Sequence, residues 1–195
     1  MQIVILGNGN MGRPLTALAE GAGHSVTSFG SARDPLPALA TADLVILAMK
    51  YEQALAFAER PGVAEALKGK VVIDITNPLS PDFMSLTVGH TNSAGEEIAR
   101  RLPGARVVKA FNTLFAAVLA KRVEGSPVDI PVFVAGDDEA AVRTVTDLVG
   151  SFGLEAVKSG PLANARYLEP MTEMMIHLGY ALGHGDRIGF GLLRV

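Results

Sequence analysis

The chain has 195 residues, of which 49% are hydrophobic and 19% are charged, and its formal net charge is -3. A composition this apolar excludes an intrinsically disordered chain, which lacks the apolar surface to build a core. The absence of any block of lysine and arginine excludes the electrostatic footprint of a nucleic-acid or anionic-membrane binder. There is no cysteine, which excludes disulfides, thiolate catalysis and iron–sulfur clusters. We therefore expect a small-molecule partner.

Short apolar runs alternate with segments of helical periodicity along the whole chain, as in βαβ units around a buried parallel sheet. The pattern predicts strands at residues 3–6, 25–29, 44–48, 71–75, 106–110, 132–135 and 154–157. It predicts helices at residues 11–22, 51–60, 94–101, 114–121, 139–152 and 165–182. The expected fold is α/β, a Rossmann-type doubly wound parallel sheet with a short C-terminal helical segment. One dinucleotide-binding domain is expected over residues 1–195.

No targeting or membrane segment is visible. The first predicted strand starts within the first few residues, which leaves no room for a signal peptide. The longest apolar runs, such as residues 44–49, are far too short to span a bilayer. We expect a soluble, unprocessed, cytoplasmic protein with no membrane partner.

A glycine-rich turn follows the first predicted strand and opens the first predicted helix. Its residues are Gly7, Asn8, Gly9, Asn10, Met11 and Gly12. Gly7 permits a tight turn, Gly9 lets the backbone approach a pyrophosphate, and Gly12 lets the helix pack close to the strand. The orphan amides at the start of the helix stabilise an anion without a lysine. The pattern predicts a dinucleotide site; the alternative is a tight turn that holds no ligand.

The end of the second predicted strand indicates which dinucleotide is bound. An acidic residue there would accept hydrogen bonds from the adenosine ribose of NAD, but this strand runs into Gly30, Ser31 and Arg33. A hydroxyl and a guanidinium suit a 2′-phosphate, because the planar guanidinium can donate two hydrogen bonds to it. We therefore predict NADP(H) rather than NAD(H), the alternative being that Arg33 is an exposed arginine with no role. Asp34 is expected to start the next turn.

The next three predicted strands also end in unusual residues, which we expect to ring the nicotinamide. Met49 and Lys50 follow the third strand, Asn77 and Pro78 the fourth, and Asn112 the fifth. In an open parallel sheet the ligand lies across the carboxyl ends of the strands. Asn77 and Asn112 can donate to and accept from a carboxamide without adding charge. The alternative is that both are ordinary asparagines of turns and helix caps.

No acid–base pair or nucleophile stands out, so no catalytic residue is assigned. The four histidines are scattered and show no metal-ligand spacing, and we predict no metal site. His90 is the best of them, since its loop could lean over the cofactor; otherwise it is structural or exposed. Hydride transfer between two cofactors needs no such group, because the cofactors carry the chemistry and the protein orients them.

The last predicted helix is apolar and contains Met174 and Met175. Methionines on an apolar helix are typical of a core or of a dimer contact. We therefore expect residues 165–182 to pack against the sheet or to form a homodimer, in preference to lining the cofactor.

Taken together, these segments resemble the NADPH-dependent reductases of the deazaflavin coenzyme F-420. The likeness covers nearly the whole chain and rests on the glycine turn, on Gly30 and Ser31, on residues 77–79 and on residues 160–166, the last being the most specific. Residues 74–78 and 107–113 are also similar to the cytosolic NADPH domain of the six-transmembrane metalloreductases, which pass hydride to a flavin. Both resemblances imply NADP(H) as a cofactor.

The sequence therefore predicts an NADP(H)-dependent oxidoreductase that transfers hydride between NADP(H) and a flavin-like acceptor, either coenzyme F-420 or FMN/FAD. One alternative is a small-metabolite dehydrogenase or imine reductase. Enzymes of that kind add a large helical domain, which the short segment after Pro161 would supply only if two chains built it together. The other alternative is a non-catalytic NADP(H) sensor.

Overall fold

The structure, a computed structural model that describes residues 1–193, is built on one seven-stranded sheet. The strands are β1 (Gln2–Leu6), β2 (Ser25–Phe29), β3 (Leu44–Leu47), β4 (Val71–Asp74), β5 (Arg106–Lys109), β6 (Val132–Gly136) and β7 (Ala156–Lys158). Their order in the sheet is β2-β1-β3-β4-β5-β6-β7. The predicted strands are all present, with ends shifted by one or two residues. The α/β Rossmann-type fold is confirmed.

The sheet is parallel from β2 to β5, but β6 runs antiparallel to β5, and β7 follows the direction of β6. The prediction of a wholly parallel sheet is therefore wrong at the β5–β6 pair. Apolar runs report that a strand is buried and not which way it points, and mixed sheets are common in doubly wound folds. Only β1 to β5 bring their carboxyl ends to one shared edge.

Eight α-helices lie among residues 1–193. They are α1 (Gly12–Gly21), α2 (Leu36–Thr41), α3 (Tyr51–Ala58), α4 (Val63–Leu67), α5 (Ala94–Arg101), α6 (Ala116–Val123), α7 (Glu139–Ser151) and α8 (Ala165–Ile176). The predicted helix at residues 165–182 ends its α-helical part at Ile176 and continues as a π-helical turn, His177–Ala181. The pattern missed α2 and α4, which are too short to show a helical period. Within residues 1–193, no helix is both long and apolar enough to cross a bilayer.

The helices cover the two faces of the sheet and enclose two apolar clusters. One cluster includes Leu15 of α1 and Val145 of α7, and the other includes Leu39 of α2 and Ile98 of α5. Alternate residues of β1 belong to the two clusters in turn, as the period of two in a strand requires. The central strands are therefore rigid supports for the loops at their carboxyl ends.

The strand order reverses between β1 and β3, because the chain runs from β1 outward to β2 and then returns to the other side of β1. Leu6, Phe29 and Leu47 lie level with one another at the ends of the three strands. The Gly7 amide donates to the Phe29 carbonyl oxygen at 2.8 Å. In open α/β sheets such a reversal opens a crevice beyond the strand ends, which is where ligands bind.

Candidate functional site

A cleft of about 1240 Å³ lies across the carboxyl ends of β1 to β4. It exceeds the roughly 300–1,000 Å³ of pockets for drug-sized ligands, and thus has room for a dinucleotide. Most of the residues predicted to bind one line this cleft: Gly7, Asn8, Gly9, Asn10, Met11, Ser31, Arg33, Met49, Lys50 and Asn77. Gly12, Pro78 and Asn112 are buried and lie outside its lining.

The glycine turn is shaped by close backbone approaches. Gly7 has a φ of 121°, and a Cβ there would stand 1.9 Å from the Ala48 carbonyl oxygen. A Cβ on Gly12 would stand 1.8 Å from the Gly7 carbonyl oxygen. At Gly9, by contrast, a Cβ would meet nothing within 4 Å, so its missing side chain leaves space in the cleft. Gly7 and Gly12 are thus required by packing, and Gly9 keeps the cleft open.

The start of α1 faces this space with a backbone donor. None of the side chains in residues 1–193 caps the helix at Met11. The Arg13 amide donates to the Gly9 carbonyl oxygen at 3.1 Å and Pro14 has no amide hydrogen, so the Gly12 amide is the donor that the first helical turn offers to an anion. Arg13 is the second residue of the helix, and its Nε donates to the Asn8 carbonyl oxygen at 2.9 Å. That bond holds the turn against the helix, so the cleft presents a prearranged amide.

The Ser31 end of the cleft, defined by Ser31, Arg33, Phe57 and Arg60, lies beyond β2 and α3. The Arg33 guanidinium lies over the Phe29 ring at 4.8 Å and donates to the Ser28 carbonyl oxygen at 2.9 Å. These contacts hold an exposed guanidinium at the Ser31 end of the cleft.

Arg60 is a further residue of this end that the strand ends did not predict, because it follows a helix and not a strand. It follows α3 and lines the cleft, with its guanidinium 5.8 Å from the centre of the Phe57 ring. Its Nη2 lies 2.7 Å from Oδ1 of Asp34. Asp34 also accepts from the Leu36 amide at 3.4 Å, so it starts the turn into α2 as predicted.

The Asn77 end of the cleft, defined by Met49, Thr76, Asn77 and Leu79, lies beyond β3 and β4. Thr76 is buried, and its hydroxyl oxygen has no hydrogen-bond partner among residues 1–193. A buried hydroxyl without a partner is costly. Thr76 lines the cleft, but this oxygen is closed off from solvent, so a polar group of a ligand would reach it once the side chain rotates towards the cleft.

Asn112 holds Asn77 in place through hydrogen bonds. Its Nδ2 donates to Oδ1 of Asn77 at 3.0 Å and to the Leu168 carbonyl oxygen at 3.0 Å. Nδ2 of Asn77 donates in return to the Asn112 carbonyl oxygen at 3.3 Å, and the Thr172 hydroxyl donates to that same oxygen at 2.9 Å. The structure therefore connects Asn112 to α8 and holds Asn77 at the edge of the cleft.

A buried ionic cluster lies directly under Thr76, and the sequence reading did not find it. Nζ of Lys109 lies 2.9 Å from Asp74, 2.7 Å from Glu169 and 2.6 Å from the Thr76 carbonyl oxygen. The Glu169 carboxylate also accepts from the amides of Ala94 and Gly95 at 3.0 and 3.2 Å, at the start of α5. The cluster ties β4, β5, α5 and α8 together at the sheet edge.

The charges of this cluster are almost completely removed from water. Burial alone would lower the pKa of Lys109, but Asp74 and Glu169 outweigh it and raise that pKa. Burial raises the pKa of Glu169, and Lys109 opposes the rise. Because a buried ammonium stays charged only with such partners, the cluster keeps Lys109 as a fixed donor to the Thr76 carbonyl oxygen.

Two loop residues, His90 and Phe83, lie in different places relative to the cleft. His90 is exposed and lines a separate hollow of about 590 Å³ with Tyr167, so the structure does not bring it to the cleft. Phe83, which the sequence reading did not select, lines the cleft with half of its surface exposed. Its loop is joined to the C-terminal segment by a 3.1 Å hydrogen bond between Nε2 of His177 and the Met84 carbonyl oxygen.

No protein-family model matches the chain. In sequence, the chain is 33% identical over 154 residues to the F420-dependent NADP reductase of Methanocaldococcus jannaschii, an alignment that covers 75% of this chain and 67% of that protein. It is 29% identical over 185 residues to the metalloreductase STEAP3 of Rattus norvegicus, covering 86% of this chain and 36% of that protein. The second alignment thus spans about a third of the metalloreductase.

Among solved structures, the chain is similar to a candidate F420-dependent NADP-reductase of Arthrobacter sp. FB24. The TM-score is 0.87 at 31% identity, and the superposition covers 100% of both chains. The resemblances that the motifs indicated are therefore found over the length of the chain as well.

Proposed function

The chain belongs to the family of the F420-dependent NADP reductases, and we propose that it transfers a hydride between NADP(H) and coenzyme F-420. FMN and FAD are the alternative acceptors. The observation that carries the proposal is the cleft itself. Along one edge of the sheet it brings together the open turn at Gly9, the side chains of Ser31 and Arg33, and Thr76 with its unpaired hydroxyl.

The residues of the cleft fit NADP(H). The space at Gly9 and the uncapped start of α1 suit a pyrophosphate. Ser31 and Arg33 suit a 2′-phosphate, for which a charged planar donor is well shaped. At the far end, the orphan Thr76 hydroxyl and the Asn77 amide suit the nicotinamide carboxamide.

Bound NADPH supplies the hydride. The chain has to hold the nicotinamide still and leave one face of its ring open to the acceptor. Lys109 fixes the Thr76 backbone and Asn112 fixes the Asn77 side chain. Met49 and Lys50 line the cleft beyond β3. The Asn77 end is therefore the place where the acceptor would meet the nicotinamide.

Anaerobic stopped-flow absorbance tests the proposal by following NADPH oxidation with F-420, FMN and FAD in turn. We expect rapid oxidation with F-420 and slow or no oxidation with the two flavins. Oxidation with FMN or FAD alone would assign the chain to flavin reduction. No oxidation with any of the three would contradict the proposal and leave the small-metabolite dehydrogenase and the sensor as the remaining alternatives.

Two glycine variants provide a matched control, because a Cβ would meet open space at both Gly9 and Gly150. Gly9→Ala places a methyl group in the cleft and should weaken NADPH binding. Gly150→Ala places one on the surface of α7 and should leave binding unchanged. Equal NADPH affinities of the two variants would contradict binding of the pyrophosphate at the Gly9 turn.

We also infer that residues 1–195 form one domain that assembles as a cytoplasmic homodimer through its C-terminal segment. The support is a set of exposed apolar side chains there: Tyr167, Met174, Tyr180 and Leu182 are between 55% and 70% exposed. Apolar patches of this kind favour a protein partner. Sedimentation of the native chain and of Met174→Lys tests this: a dimer that the variant converts to a monomer is expected, and a monomeric native chain would contradict it.

A further inference from the structure

Two guanidinium groups line the Ser31 end of the cleft, although only Arg33 follows β2 directly. Arg60 reaches the same end from the other side, beyond α3. Each of the two lies over an aromatic ring, Arg33 over Phe29 and Arg60 over Phe57. Stacking on a ring restrains a guanidinium while leaving its donors free to bind. The two guanidinium groups are therefore arranged so that both could donate hydrogen bonds to one anion at this end of the cleft.

Asp34 forms an ion pair with Arg60. The 2.7 Å pair is half exposed on both sides, with 47% of the Arg60 side chain and 56% of the Asp34 side chain accessible. An exposed ion pair of this kind contributes little to stability, because water competes for both charges. Asp34 can therefore be separated from Arg60 at small cost when a stronger anion arrives.

We propose that Arg60 is a second guanidinium that binds the adenosine 2′-phosphate of NADP(H), and that this phosphate displaces Asp34 from it. The inference rests on the proposed use of NADP(H) by the cleft. A 2′-phosphate carries a charge of about -1.5 to -2 near neutral pH, against one negative charge on Asp34. It would also present several oxygens to the Arg60 fork. NADH, which has no such phosphate, leaves the pair between Arg60 and Asp34 intact.

Calorimetric titration of Arg60→Ala with NADPH and with NADH tests the role of Arg60. We expect the Kd for NADPH to rise by about tenfold, as for loss of one charge-assisted phosphate contact, and the Kd for NADH to stay within about twofold. Arg60→Lys, which keeps the charge and loses the fork, should fall between the native protein and Arg60→Ala.

Arg100→Ala is the matched control. Arg100 forms an ion pair of the same length, 2.7 Å, with Glu97, and its side chain is 55% exposed, but it lies on α5 and not in the cleft. Its NADPH affinity should equal that of the native protein. Equal weakening of NADPH and NADH by Arg60→Ala would overturn the proposal, because Arg60 would then serve the shared part of the cofactor. No change for either cofactor would overturn it as well.

Asp34→Asn tests the displacement. The amide keeps an oxygen for the Leu36 amide but removes the charge that competes for Arg60. We expect NADPH to bind about two- to fivefold more tightly, within the range of a surface ion pair. Unchanged or weaker NADPH binding would overturn the displacement step.

These titrations are independent of the hydride acceptor. If native protein binds NADPH and the variants behave as expected, the inference stands even when F-420 is inert. If native protein binds NADPH and NADH equally well, the 2′-phosphate site fails at both Arg33 and Arg60, and the inference fails with it.

Discussion

The two ends of the cleft carry charged side chains under opposite conditions. At the Ser31 end, Arg33, Asp34 and Arg60 are exposed on loops and helix ends. At the Asn77 end, Asp74, Lys109 and Glu169 are fully buried beneath the cleft. Exposed charges are free to exchange partners with a ligand at little cost to the fold. Buried charges cannot change partners without a large penalty, so they can only hold other residues in place.

The largest expected effect comes from the buried cluster. Lys109→Met leaves two carboxylates in the core without a cation, and we expect the free energy of unfolding to fall by about 3–5 kcal/mol. Arg60→Met, at the Ser31 end, should change it by less than about 1 kcal/mol. Urea denaturation of both variants measures the difference. Equal losses of unfolding free energy in the two variants would contradict the difference between the buried charges and the exposed ones.

Arg33→Ala should act on binding and hardly on stability. We expect the binding free energy of NADPH to weaken by about 1–3 kcal/mol, with NADH nearly unchanged and the unfolding midpoint preserved. Arg143→Ala, which removes an exposed arginine from α7, is the control for a general charge effect. A similar loss for NADH would show that Arg33 contacts a part common to both cofactors.

Two carboxylates, the partly buried Glu97 and the fully buried Glu169, should change the stability in opposite directions as the pH falls. Hydrogen bonds from Arg101 and Asn92 lower the pKa of Glu97 from 4.5 to about 2. Its contribution to stability is therefore full above the unfolded value and is lost as the pH falls from 4.5 towards 2. Glu169, whose pKa burial raises, contributes in the opposite sense: its effect is most favourable below the unfolded value and is lost as the pH rises above it.

Glu97→Gln should therefore flatten the loss of stability in acid. Between about pH 5 and pH 3 the native protein should lose about 1–2 kcal/mol more unfolding free energy than this variant. Urea denaturation at the two pH values gives both numbers. Identical acid slopes for native protein and variant would mean that Glu97 is not held in its ionised form.

The smallest effect is expected at Ser31. Ser31→Ala removes one neutral hydroxyl from an exposed position, and we expect NADPH binding to weaken by about 0.5–1.5 kcal/mol. Thr87→Val, which removes another hydroxyl outside the cleft, should have no effect on binding. A loss at Ser31 larger than that at Arg33 would reverse the order of importance at this end.

Local patterns in the sequence predicted the Ser31 end better than the Asn77 end. The glycine turn and Arg33 are contiguous with β1 and β2, so a strand followed by a turn was enough to find them. The resemblance to the F-420 reductases, which rests on such short motifs, is confirmed by the relatives of the chain. Arg60 was missed because its place depends on where α3 ends.

The frame of the Asn77 end depends on contacts that are distant in sequence. Lys109 and Glu169 are separated by 60 residues of chain and meet only because α8 returns to the sheet edge. Asn112 was expected to border the nicotinamide, but its amide bonds to α8 and to Asn77. The periodicity of a strand or helix does not predict which distant segments come into contact. For the same reason it did not predict that β6 runs antiparallel to β5.

The position of α8 has a consequence for any attempt to shorten this protein. Glu169 and Thr172 lie on this helix, and both contact the strand ends that carry the Asn77 end. A chain cut before residue 165 would still contain the glycine turn, but Lys109 would keep a single carboxylate and Asn112 would lose its partners on α8. The smallest fragment that can be excised for fusion or redesign with its Asn77 end intact therefore extends through α8.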